Sequence, residues 1–199
     1  MYKKSFLSLM VMLLFVATSC SSEEPAAIEP GGTISGDAGK TLIVYFSWGG
    51  NTRTVANHIH DLIGGDIVEV ETVVPYPDTY EEVTQIAPGE LESDYRPELK
   101  TKVENMDEYD TLIVGTPIWG GHLTPAMKSF LKNHDLRGKI IYPFVTNEGW
   151  AGHALQDFAT NLSGGCVKSG MNVKFSGDIL ITKEVQIRNW AKEAVKDIS

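Results

Sequence analysis

Cysteine is nearly absent. Cys20 and Cys166 are the chain's two in 199 residues. That is too few for a disulfide framework, and unrelated roles are expected of them. Positive charge is also scarce: Lys and Arg number 17 against 26 Asp and Glu, a formal charge of −9. This excludes the basic face that non-specific nucleic-acid binding requires. No apolar stretch reaches bilayer length; Phe6–Val16, apolar except for Ser8, is too short to span. Two nucleotide fingerprints are missing as well, since neither GxxxxGK[ST] nor GxGxxG occurs. No residue set is assigned to a metal.

What is present begins with a targeting segment. Lys3 and Lys4 precede the apolar run, Ala17, Thr18 and Ser19 are small, and Cys20 follows. Residues 1–19 read as a secretory signal peptide. The segment resembles a bacterial lipoprotein signal, which implies lipidation of Cys20. Residues 20–40 are then the lipidated Cys and a flexible linker rich in Ser, Glu, Pro, Ala and Gly. Removing residues 1–19 takes away two lysines and no acid, so the mature charge is expected to be −11. The expected location is a bacterial membrane, on the periplasmic side or the cell surface, with the lipid as anchor.

Residues 41–199 alternate strand and helix patterns. The domain starts near Thr41; the apolar run Leu42–Phe46 is a strand, and Val55, Ile59, Leu62 and Ile63 recur at helical spacing up to Gly64. Asp66–Val70 is a second strand. Glu71–Lys100 is a long irregular piece with a short helix near Asp78–Ala87, and its length marks a functional loop. Thr111–Thr116 and Lys139–Val145 are the third and fourth strands. Thr124 and Pro125 start the helix between them. Ala151–Leu162 is a helix, Asn172–Ile181 a fifth strand interrupted by Gly177, and Thr182 caps a final helix. Five alternations predict an open parallel sheet with helices on both faces. A ligand then sits beyond the carboxyl ends of the strands.

Three strand-end loops carry the chemistry. In the first, Ser47, Asn51 and Thr52 offer hydroxyl and amide groups, and Gly49 and Gly50 let the backbone approach closely. Backbone N–H groups and a helix start aimed at one point favour an anion. Without a lysine in the turn, a single phosphate fits better than a triphosphate. In the second loop, Thr116–His122, Trp119 beside two glycines suits a flat aromatic ligand. A buried packing role for this Trp is an equal reading. The third, Thr146–His153, can present N–H groups to the polar edge of a ring.

The motifs YFSWGGNTRTVA, VETVVPYPDTYEEV, RPELK and VGTPIWGG resemble a flavodoxin of the small bacterial flavodoxin-like group. The resemblance implies a three-layer α/β sandwich of the short-chain type, with a five-stranded parallel sheet of order 2-1-3-4-5 holding one FMN. It implies that Ser47, Gly50, Asn51 and Thr52, with Trp48 and Gly49 beside them, hold the phosphate. Thr116, Pro117, Ile118, Trp119 and Gly120 would meet the isoalloxazine, and Asn147, Glu148 and Gly149 its pyrimidine edge. Gly49 stands where a hydroxyl residue is common. Arg53 either supplies charge there or points to solvent. Gly120 stands where many relatives have a second aromatic, so stacking is expected from one side.

The expected function is FMN-dependent electron transfer to a redox partner protein or a small quinone-like acceptor. One alternative is a quinone or nitro-group reductase fed by NAD(P)H, with His122 or His153 as a proton donor. Another is a flavin-free binding module. Solvated or structural histidines, and a packed or idle thiol at Cys166, are the plainer expectations.

Overall fold

The structure, a computed structural model, describes residues 40–162 and 164–196. The expected signal, Cys20 and the linker to residue 39 lie outside the described residues. Second in the sheet, beside one edge strand, runs β1 (Thr41–Tyr45), buried along its whole length. It pairs in parallel with β2 (Asp66–Glu69) on one side and with β3 (Thr111–Trp119) on the other. β3 pairs with β5 (Ile140–Asn147), and β5 with β7 (Met171–Ser176), again in parallel. These five strands give the order expected from the sequence, 2-1-3-4-5 in their own numbering.

Three two-residue strands decorate this frame: β4 (His122–Leu123), β6 (Cys166–Val167) and β8 (Ile179–Leu180). β8 corrects one expectation. The interrupted fifth strand is a hairpin, in which β8 turns back antiparallel on β7 at Gly177–Asp178. Cys166 is half-buried and is not a free thiol, which corrects the idle thiol expected there.

The strand residues alternate between two layers, as the period of two requires. Leu42, Val44, Leu112, Val114 and Val145 face α2 (Tyr80–Glu92), α3 (Pro125–Asn133) and α4 (Ala154–Asn161), where Val83, Phe130 and Phe158 close the core. Ile43, Tyr45, Ile113, Phe144 and Val173 face the other way. They meet Val55 and Ile59 of α1 (Asn51–Ile63) and Ile187 and Ala191 of α5 (Glu184–Lys196).

Side-chain caps explain two of the helix starts. Thr124 accepts the Met127 N–H with Pro125 in the first turn, as the sequence suggests. Thr79 caps α2, which runs past the expected end through Pro88. Thr182 does not cap α5. Its hydroxyl accepts the Lys174 N–H instead, and the helix starts at Glu184. The feet of the long loop are tied together: Thr72 and Leu99 form an antiparallel bridge, and Lys100 N–H donates to Glu71 O at 2.8 Å.

Candidate functional site

At the carboxyl edge of β1, β3 and β5 lies a cavity of about 870 Å³. Its size falls in the range of small-molecule and cofactor sites.

The turn after β1 supplies Trp48, Gly49, Asn51 and Thr52 to the lining. Ser47 and Gly50 do not line it; they build the turn. Ser47 is buried, and its Oγ accepts the N–H groups of Gly50 and Arg53, each at 3.2 Å. Gly50 takes φ 92°, a left-handed conformation open to glycine at little cost. The N–H groups of Asn51 and Thr52 begin α1 and have no acceptor within the helix. With the helix dipole they favour an anion there. Thr52 Oγ1 pairs with Thr146 Oγ1 at 2.8 Å, joining the first loop to the third. Arg53 is not at this point. Its guanidinium, half-exposed to solvent, grips Glu69 through Nε at 2.9 Å and Nη2 at 2.6 Å, so it supplies no charge to the phosphate position.

The second loop is mostly strand. β3 continues through Trp119 and folds back as β4, with Trp119 opposite His122. Gly120 and Gly121 make the two-residue turn with φ 54° and 85°, the pattern that a tight hairpin needs. Pro117, Ile118, Trp119 and Gly120 line the cavity. Thr116 does not: it is fully buried and pairs with Thr124 Oγ1 at 2.8 Å. Trp119 satisfies both readings, being 9% exposed yet part of the wall. Tyr76 meets its ring edge-on at 4.8 Å, and Phe46 at 6.0 Å. Behind them, Tyr76 donates its hydroxyl to Glu90 Oε2 at 3.0 Å. Burial pushes the Glu90 carboxyl above its usual range, and the Tyr76 hydrogen bond opposes this.

The third loop places Asn147, Glu148 and Gly149 in the lining. Asn147 Oδ1 accepts the Gly149 N–H at 2.8 Å, and its amide bonds Asn172. Glu148 Oε1 accepts the Gly177 N–H at 3.1 Å. Asn51 Nδ2 donates to Gly177 O at 3.0 Å. The β7–β8 turn therefore bridges the first and third loops.

Several lining residues were not foreseen. Trp150, 67% exposed, packs over Gly121, where a Cβ would stand 2.7 Å from its ring. Tyr80, Gly121, Thr146, Gly177 and Asp178 also line the cavity. Trp150 was legible as an aromatic beside Gly149 in a strand-end loop. It supplies an aromatic from the third loop where Gly120 has none in the second, so the walls carry Trp48, Tyr80, Trp119 and Trp150.

His122 and His153 are not among the lining residues. They stack on each other at 5.8 Å, and His122 Nδ1 bonds Asp157 Oδ2 at 2.9 Å. Proton delivery by either side chain to a ligand in the cavity is therefore not supported. Among the described residues, lining charge consists of Glu148 and Asp178, with no Lys or Arg. The arrangement suits a flat aromatic ring between aromatic walls, with one anionic end at the start of α1.

Residues 40–194 match the model of the flavodoxin family. No curated protein matches the chain. Among solved structures, it is similar to a protein described as a flavoprotein from Bacteroides eggerthii, at 26% identity and TM-score 0.67, covering 78% of this chain and 97% of that one. It is also similar to a flavoprotein in complex with FMN from Lactobacillus acidophilus, at 25% identity and TM-score 0.60, covering 68% of this chain and 93% of that one. A short-chain flavodoxin associated with a bacterial microcompartment, at 17% identity and TM-score 0.50, shares the fold.

The raised Glu90 carboxyl has a consequence for stability. Between its unfolded value and its folded value the native state holds the extra proton, so stability falls as pH rises through that window and the deficit persists above it. Glu90→Gln keeps an acceptor for Tyr76 and has no charge to bury. It should melt above the parent by about 1–3 °C at neutral pH, and the gap should close at about pH 4. A gap independent of pH would contradict this assignment.

Proposed function

The chain belongs to the flavodoxin family, and from that premise we propose that it holds one FMN in this cavity and works as an electron carrier. The observation that carries the proposal is the convergence of the α1 start with four aromatic side chains on one cavity of about 870 Å³. The N–H groups of Asn51 and Thr52 would hold the phosphate, with Ser47 and Gly50 shaping the turn around it. Trp119 and Trp150 would bound the isoalloxazine, and the third loop, shaped by Asn147, would meet its polar edge. The FMN complex of the similar Lactobacillus acidophilus protein supports the same cofactor.

FMN, when bound, supplies the capacity to take up and release electrons. This chain's residues bind it, orient it and tune its potential. His122 and His153 lie outside the lining formed by the described residues, so neither is assigned a proton-transfer role. The redox partner is a protein or a small quinone-like acceptor. A lipid on Cys20 would hold the domain to a bacterial membrane outside the cytoplasm, as the N-terminal sequence suggests, and this requires a Cys20 thiol that is not paired with Cys166, the chain's other cysteine.

Three measurements test these statements. Flavin extracted from the purified protein should be FMN, and NAD(P)H with a quinone should give no steady turnover; a flavin-free protein, or rapid turnover, would refute the carrier. Glu148→Gln keeps the acceptor for Gly177 and removes a charge at the cavity. Reduction should then move up by about 20–30 mV, the effect of one solvated charge several ångströms away; no rise would remove Glu148 from the tuning. Mass spectrometry of the membrane-extracted protein should show acyl chains on Cys20. An unmodified Cys20, or one joined to Cys166, would remove the tether.

A further inference from the structure

A second cavity, of about 510 Å³, lies between the carboxyl ends of β1 and β2 and the loop before α2. Its aromatic wall is Phe46, Trp48 and Tyr76, with the rings of Phe46 and Tyr76 edge-on at 5.9 Å. Trp48 lines this cavity and the larger one alike, so a single indole divides them. Its Nε1 donates to Pro77 O at 2.7 Å, which fixes the ring in that position.

Charge around the second cavity is organised and uneven. Arg53 is held by Glu69, and Lys100 by Glu71 at 2.7 Å. Each pair is neutral in sum. Asp78 also lines the cavity and has no hydrogen bond or ion pair among the described residues. Three carboxylates thus face two cations, and the surplus charge is negative. Aromatic faces attract cations through their quadrupole, and an unpaired carboxylate adds to that attraction. An anion would meet cations already committed to Glu69 and Glu71.

We propose that this second cavity is a binding site for a small planar aromatic cation, seated against Trp48 and Tyr76 with its charge toward Asp78. The occupant would lie across Trp48 from the larger cavity. The site does not depend on flavin: its wall and its charges are complete in the chain alone.

The test uses N-methylquinolinium, with quinoline as the neutral ring of the same shape, titrated calorimetrically into the purified protein with and without saturating FMN. The cation should bind once per chain and at least about fivefold more tightly than the neutral ring, the effect of roughly one solvated charge pair. FMN should leave that binding in place. Asp78→Asn should weaken it by about the same factor. Val73→Arg, which puts a long cation into the cavity from an exposed position, should abolish it. Neither variant should change the melting temperature or FMN binding by more than the error of measurement. Equal binding of cation and neutral ring, displacement of the cation by FMN, insensitivity to Asp78→Asn, or no saturable binding would each overturn the proposal.

Discussion

The Ser47 hydroxyl is the point on which the larger cavity depends. By accepting the N–H groups of Gly50 and Arg53, it closes a turn that must leave a buried strand and enter a helix within a few residues. Two of the helix's unpaired donors are thereby used. Those of Asn51 and Thr52 remain for a ligand. Moving the same turn by one residue would put different N–H groups at the cavity. The Thr52–Thr146 pair then ties this turn to the end of β5, and the Gly177 backbone ties it to Glu148. The first and third loops are thus joined twice, once within the cavity lining and once across the β7–β8 turn.

The second and third loops are joined by close backbone approach. His153 N–H donates to Gly121 O at 2.7 Å, and a Cβ at Gly152 would run into Gly121. Trp150 lies over the same Gly121. A large aromatic can therefore stand at the mouth of the cavity because the hairpin beneath it has no side chain. His122 and His153 belong to this joint. They stack beside Asp157, which also accepts the Leu123 N–H, and they support the loops from outside the cavity.

Much of this was legible in the sequence, for identifiable reasons. The alternation of apolar runs with helical spacing marks a covered parallel sheet, and β1, β3 and β5 are buried as such strands must be. Three strand-end loops rich in glycine and aromatics located the site, because in such sheets ligands gather at that edge. Local chemistry misled where side chains had longer-range partners. Thr116 looks like a loop hydroxyl, but Thr124 claims it. Arg53 looks free beside the turn, but Glu69, sixteen residues on, holds it. Thr182 looks like a cap, but the β7–β8 hairpin uses its oxygen. The contributions of Tyr80 and of Gly177–Asp178 depend on how α2 and the hairpin fold over the sheet edge. No spacing within the chain announces that placement.

The account's central claim is that this edge grips a flat ring carrying one phosphate. Calorimetric titration of flavin-free protein with FMN and with riboflavin tests it directly, since the two differ by the phosphate alone. The account predicts one site per chain and a preference for FMN of at least about tenfold, the equivalent of 1.4 kcal/mol. Equal affinity for the two, or no binding of either, would contradict it.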